Sequence, residues 1–144
     1  MTETSFKTVV VSAAVIFRDD TVLLTQRPAG THLANLWEFP GGKVEPNEDP
    51  RDALARELRE ELGVDTTVHQ ILECTFWRYP NKNVLLLFFE TALAPDVEPQ
   101  HLGVSAHVWA TRDTLAQYAM PPADEPVLAV VQAQLTQRSA LRNT

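Results

Sequence analysis

The sequence predicts a single α/β domain spanning residues 1–144. Three observations point to it. Five apolar runs rich in β-branched or aromatic residues have strand length and are bounded by turn residues. One sharply delimited amphipathic helix interrupts them at residues 50–62, and a second helical stretch closes the chain. The 144 residues are 44% hydrophobic and 22% charged, the balance of a globular chain with a real core.

In chain order, residues 1–6 are polar and expected to be loose. Residues 9–17 (VVVSAAVIF) read as a strand buried on both faces. Arg18-Asp19-Asp20 is a turn, and residues 22–26 (VLLTQ) return as a hairpin strand. Residues 28–36 form a loop with Pro28 and Gly30, long enough to cover a ligand. Trp37 to Gly42 is a short extended piece entering a sharp turn. Residues 66–79 read as one or two strands, 80–83 as a turn, and 84–93 as the returning buried strand. Residues 95–103 are a loop and 106–110 a short strand. Thr111 is expected to cap a short helix through Tyr118. After the rigid Met120-Pro121-Pro122-Ala123, Asp124 opens a helix over about 125–138, with residues 139–144 loose again.

The helix at 50–62 organises the chain. Asp49 is a good N-cap, Pro50 suits the first helical position, and Gly63 is a natural stop. Leu54, Leu58 and Leu62 form an apolar stripe. Glu57, Glu60 and Glu61 share a wedge of about 100° beside it. Three carboxylates this close repel one another, and Arg56 and Arg59 relieve only part of that. A solvated acidic face is the ordinary reading. The other is a site for a hard cation such as Mg²⁺, which takes carboxylate oxygens together with substrate phosphates.

Other features narrow the class. The net charge of −7 argues against a nucleic-acid polymer as partner, which would need a basic surface. It leaves room for one nucleotide whose phosphates are met by metal. The single Cys74 fits a reducing, cytoplasmic setting. No apolar run reaches membrane-spanning length, and the N-terminus lacks a signal-peptide pattern. The chain is expected to be a monomer or a homodimer.

The spacing from Gly42 is specific. Five residues lead to Glu48, seven more to Arg56-Glu57-Leu58, then Arg59, Glu60-Glu61, Leu62, Gly63 and Val64. This resembles the Nudix box, with every specified position matched. The resemblance implies the Nudix α/β/α sandwich, a mixed sheet between helices with the box as a loop–helix–loop. It also implies hydrolysis of a nucleoside diphosphate linked to some group X. The metal would be Mg²⁺, with Mn²⁺ as a substitute, held by Glu57, Glu60, Glu61 and the carbonyl of Gly42 or its neighbour Gly41. Water would attack phosphorus in line, with Glu57 or Glu60 taking its proton. Arg56 would orient the glutamates, and Glu48 would stabilise the box loop.

The run RPAGTHLANLWEFPGGKVE and the segment PPADEPV are similar to the MutT group, which removes oxidised guanine nucleotides. That similarity implies Arg27 and Asp124 at the nucleotide. Arg27 is otherwise a surface cation, and Asp124 is otherwise explained as an N-cap. Glu38 alternates away from Trp37 and Phe39 and is expected to face the site. Phe39 and Trp77 are taken as substrate-binding aromatics, with Phe76 and Tyr79 beside Trp77. His32 reads as an ordinary loop histidine.

Two departures stand out. The best-known MutT proteins carry asparagine where this chain has Asp124; an ionised Asp only accepts hydrogen bonds, whereas Asn also donates. Many relatives have a glutamate six residues before Trp109, where this chain has Gly103, so Glu98 and His101 are the candidates for general base or second-metal ligand. The leading expectation is hydrolysis of 8-oxo-dGTP, with dGTP as a further substrate, to monophosphate and pyrophosphate for nucleotide-pool sanitation and DNA repair. The alternatives are hydrolysis of CTP-type pyrimidine nucleotides or nucleotide sugars and, from another class, a non-catalytic nucleotide-binding module.

Overall fold

A computed structural model describes residues 6–143. The expected loose segments at residues 1–5 and at 144 lie outside the described residues. Seven strands and two helices follow in order: β1 (Thr8–Arg18), β2 (Thr21–Gln26), β3 (Trp37–Glu38), β4 (Gly41–Lys43), α1 (Pro50–Leu62), β5 (Thr66–Tyr79), β6 (Lys82–Leu93), β7 (Ala106–Thr111) and α2 (Glu125–Arg142).

β1 is the axis of a mixed sheet ordered β3-β2-β1-β6-β5, with β4 on β1 and β7 on β2. β1 runs parallel to β6, and the other pairings are antiparallel. Alternation along β1 explains why its sequence is apolar throughout. Ala13 and Val15 enter one core with Val22, Leu24 and Phe88, covered by Val127, Val131 and Leu135 of α2. Ala14 and Ile16 enter a second core with Leu23 and Phe89, covered by Leu54, Leu58 and Leu62 of α1. A strand with helices on both faces must bury successive residues on opposite sides. The expected α/β/α sandwich is thus present.

The ends of α1 follow the sequence reading. The Asp49 carboxylate accepts from the Arg51 amide at 2.8 Å, Pro50 opens the helix, and Gly63 stops it in the left-handed region at φ 65°. The Ser12 hydroxyl donates to the Pro50 carbonyl at 2.8 Å, tying the start of the helix to β1.

Two expectations are refined and two change. The β1–β2 hairpin is paired only at Phe17↔Val22 and Arg18↔Thr21, because β2 then turns away to pair with β7 and β3. Residues 66–79 are one strand, with register irregularities around Ile71. The helix expected after Thr111 is only a 3₁₀ turn at Leu115–Gln117. Thr111 exchanges hydrogen bonds with Thr114 there instead of capping a longer helix. The last helix continues past residue 138 to Arg142, held where Arg142 pairs with Asp20 at 2.6 Å and Arg138 donates to the Asp19 carbonyl.

Leu58 is fully buried between α1 and the sheet. Truncating it removes apolar contacts and leaves a cavity. Leu58→Ala is expected to lower stability by about 2–5 kcal/mol, read as a fall in the urea midpoint with an unchanged slope.

Candidate active site

α1 presents its carboxylates beside the turn at Gly42. The Glu57 carboxyl group lies against this glycine; a Cβ there would sit 2.3 Å from the carboxyl carbon, so only glycine allows the approach. Arg56 holds the cluster together. Its guanidinium donates to Glu48 at 2.9 and 3.0 Å, to Glu57 at 3.0 Å, to Glu60 at 3.3 Å and to the Lys43 carbonyl at 3.1 Å. Glu48 also accepts from the Glu45 amide. Hydrogen bonds from Arg56, then from that amide, hold Glu48 down at about 2. Arg56 is pushed up in turn, chiefly by Glu48. Glu48 is therefore an anchor of the turn, as expected, and Arg56 orients two of the three glutamates.

Glu61 behaves differently. Burial, and then the charges of Glu57 and Glu38, push its carboxyl up to about 8. Burial also raises Glu57, against the pull of Arg56. A carboxyl crowded by others in a poorly solvated place is where a cation gains most. Among the described residues, no group of three His, Cys, Asp or Glu side chains converges as a ready metal cage. Arg56 neutralises Glu57 and Glu60 instead.

Gly42 joins this cluster to a cavity of about 200 Å³. Its walls include Arg27, Glu38, Phe39, Tyr79, Lys82 and Asp124. Arg27 and Glu38 face each other as an ion pair at 3.1 Å, and Arg27 Nε donates to the His32 carbonyl at 2.7 Å. Burial raises the Glu38 carboxyl, and Arg27 opposes that rise. His32 is also on the wall, its ring edge-on to Tyr79 with centroids 6.2 Å apart. The loop histidine and the end of β5 therefore meet at the cavity.

Asp124 is placed by the turn Pro122–Asp124, immediately before α2. It is only 6% exposed. It sits at the N-cap position, yet its side chain makes no capping hydrogen bond. The capping explanation therefore fails: at φ −89° and ψ −9° the residue continues the preceding 3₁₀ turn instead of adopting the extended backbone of a capping residue. Burial, and then the Glu38 charge, push its carboxyl from an ordinary 3.8 up to about 7.

Four residues weighed for the site stand elsewhere. Trp77 packs against the α2-side core and is not on the cavity wall; Tyr79, two residues further along the same face of β5, is. Phe76 points the other way, is 44% exposed and carries Arg78 over its ring. Glu98 is paired with Arg18 and accepts from the Trp109 indole at 3.3 Å. His101 meets His107 at 2.8 Å. Neither Glu98 nor His101 lines the cavity, because their loop is tied to the end of α1. Gln100 donates to the Leu62 carbonyl, and Leu102 and Gly103 donate to that of Glu61. Gly103 does lie beside Glu61, where a Cβ would be 3.2 Å from its Cγ. Phe39 has a double position, on the cavity wall and in the core edge-on to Phe88. Lys43 and Lys82 on the wall went unnoticed in the sequence. Lys43 had a signal in following Gly42 directly; Lys82 had only its place in a turn.

The raised Asp124 carboxyl has a stability consequence. Between pH 3.8 and about 7 the unfolded chain releases this proton while the folded chain keeps it. Stability is therefore lost as pH rises through that window, on the order of 4 kcal/mol in full. Asp124→Asn removes the titration. Urea unfolding at about pH 5 and about pH 8 should show the variant gaining a few kcal/mol on the wild type at the higher pH; parallel behaviour would mean an ordinary carboxylate.

Comparison with known proteins agrees with this geometry. The NUDIX domain family model matches residues 7–131. The chain is 41% identical over 139 residues to the CTP pyrophosphohydrolase of Escherichia coli (strain K12), covering 93% of this chain and 98% of that protein. It is 34% identical over 110 residues to the 8-oxo-dGTP diphosphatase of the same organism, covering 75% and 83%. The solution structure of the E. coli ORF135 protein superposes with a TM-score of 0.73 at 39% identity, covering 94% of each chain. With the box helix, its glutamates and the sandwich all in place, the chain belongs to the NUDIX domain family and is a Nudix hydrolase.

Proposed function

We propose that this Nudix hydrolase is a divalent-metal-dependent nucleoside triphosphate pyrophosphohydrolase. It releases a monophosphate and pyrophosphate, with CTP-type aminopyrimidine nucleotides as its leading substrates. The observation that carries this is the junction at Gly42. On one side lies a carboxylate cluster suited to a cation and phosphates; on the other lies a cleft open to solvent on one side, whose polar groups suit a base.

The donor set fits a hard cation. All candidate ligands are oxygens, from Glu57, Glu60, Glu61 and the Gly42 carbonyl, and Glu61 is destabilised as a carboxylate without added positive charge. When bound, Mg²⁺ or Mn²⁺ supplies neutralisation of the phosphate oxygens and acidifies the attacking water. The protein's own residues do the rest. Arg56 fixes the glutamates, and Lys43 and Lys82 bring positive charge to the cavity wall. Glu60, with its side chain 58% exposed against 14% for Glu57, is the freer carboxylate to accept the water's proton. Asp124, Glu38 and Arg27 face the base end.

The CTP reading is supported by Asp124 in place of asparagine and by the likeness to a CTP pyrophosphohydrolase along nearly the whole chain. A second reading, hydrolysis of 8-oxo-dGTP, is favoured by the segments around Arg27 and Asp124 and by the likeness to 8-oxo-dGTP diphosphatases.

Glu61→Gln is expected to lower kcat/KM by about 100-fold or more while leaving the fold intact, since the amide lacks the anionic oxygen that would hold the cation serving the phosphate oxygens. Circular dichroism alongside Mg²⁺-dependent turnover checks this, and a full-rate variant would refute the site. Arg56→Gln should cost about 10–100-fold, as losses of groups that orient ligands do. Rates on CTP, 8-oxo-dGTP, dGTP and a nucleotide sugar rank the substrates; a nucleotide sugar in the lead would overturn the triphosphate assignment.

A further inference from the structure

We propose that His101 and His107 form a seat for one borderline divalent transition cation, such as Zn²⁺ or Ni²⁺, built from different residues and different ligand atoms than the carboxylate cluster of α1. The inference goes beyond the proposed function: it concerns the loop that leads into β7, and it needs no nucleotide.

The geometry of the two imidazoles carries the argument. His101 Nε2 lies 2.8 Å from His107 Nδ1, with ring centroids 5.0 Å apart and planes at 66°. The other nitrogen of His107, Nε2, lies 3.6 Å from Glu98 Oε2. Attraction to that carboxylate favours the His107 proton on Nε2 and leaves a lone pair on Nδ1, facing His101. A carboxylate beside the second nitrogen is the usual outer partner of a metal-binding histidine, where it fixes the tautomer and raises the basicity of the ligating nitrogen. Glu98 is itself fixed: it pairs with Arg18, and its Oε2 accepts from the Trp109 indole at 3.3 Å. Arg18 stacks over that indole at 4.4 Å, and Glu98 offsets its charge.

Both histidines stand on backbone that is tied down. His107 lies in β7, opposite Thr25 of β2. The loop of His101 hangs from the last turn of α1. There the Gln100 amide donates to the Leu62 carbonyl at 2.8 Å, and those of Leu102 and Gly103 donate to the Glu61 carbonyl at 3.0 Å. The pair therefore meets without a ligand, and little ordering is left for a cation to impose. Two imidazole nitrogens, each about 2.0–2.1 Å from a metal and set between a right angle and the tetrahedral angle, are roughly 2.9–3.4 Å apart. The present separation falls just short of that range. The rings need only part slightly and turn towards a common point. His101, the donor of the pair, then carries its proton on Nδ1 instead of Nε2. His101 is exposed and His107 partly so, which lets water complete the coordination.

Ligand chemistry sorts the two places. Imidazole suits Zn, Ni and Cu, whereas Mg²⁺ keeps to oxygens. With two protein ligands this is a seat and not a cage, in keeping with the absence of any three-residue metal group among the described residues. A cation here would staple β7 to the loop hung from α1 and stabilise the folded chain by mass action.

The test titrates the full untagged chain with Ni²⁺ in saturating Mg²⁺ and without nucleotide, followed calorimetrically. One equivalent should bind. His101→Asn and His107→Asn should each weaken binding at least tenfold, and Glu98→Gln about tenfold, as loss of an outer partner does. Paramagnetic broadening of amide signals by Ni²⁺ gives a readout in the wild type and decides the matter even where a variant fails to fold. It should centre on residues 100–102 and 106–108. Broadening centred on residues 57–61 alone overturns the proposal, as does equal affinity in the wild type and both histidine variants. No binding up to about 1 mM Ni²⁺ overturns it as well. None of these outcomes bears on Mg²⁺-dependent turnover, so the proposed function stands or falls separately.

Discussion

The Arg56 guanidinium is the interaction on which the site depends. Left to themselves, Glu48, Glu57 and Glu60 would repel one another and splay towards solvent. One planar cation reaches all three and also the Lys43 carbonyl. That geometry couples three pieces of chain: the helix, the turn that precedes it and the short strand β4. A lysine in its place would offer a point charge and not a fork, and would not span carboxylates on two elements together with a backbone oxygen. Glu61, which Arg56 does not reach, is left with a raised carboxyl.

This arrangement needs the turn and the helix pressed against a rigid floor, and β1 is that floor. It is covered by α1 on one face and α2 on the other. Its Ser12 side chain grips the start of α1. β4 pairs with it at Ala13↔Gly41, Ser12↔Gly42 and Val11↔Lys43. At Gly41 the approach is so close that a Cβ would lie 2.0 Å from the Ser12 carbonyl oxygen. Packing energy from the two cores thereby presses the Glu57 carboxyl against the turn at Gly42, a task that no local sequence preference could accomplish.

Glu38 links the two ends of the site. Its charge acts on Glu61 of the box helix and on Asp124 at the cavity wall, while Arg27 holds it between them. The chain thus keeps four acidic groups, Glu38, Glu57, Glu61 and Asp124, partly or largely buried in one region. Such a cluster is unfavourable for folding and is retained at sites where charge or protons must be matched to a ligand.

The sequence by itself determined the helix with its caps, the buried strands, and the identity of the box glutamates. These depend on short-range rules: capping at Asp49, the stop at Gly63, the leucine stripe and the spacing from Gly42. The sequence assigned Glu48 to the box loop and Arg56 to the glutamates, but their mutual ion pair is a finding of the structure. Only the tertiary structure decided what lines the cavity. Trp77 and Tyr79 share a strand face, and their alternation alone cannot say which of them meets the cavity; the meeting of β5 with the loop around His32 does. Asp124 looked like an ordinary cap in sequence, but a 3₁₀ turn ahead of α2 frees its side chain, and packing buries it beside Glu38. Glu98 and His101 looked available near Gly103, yet Arg18 and Trp109 hold the first and His107 the second. The deciding partners lie on other elements of the fold, and even His107, six residues beyond His101, meets it only because the loop folds back, so no local pattern carried the answer.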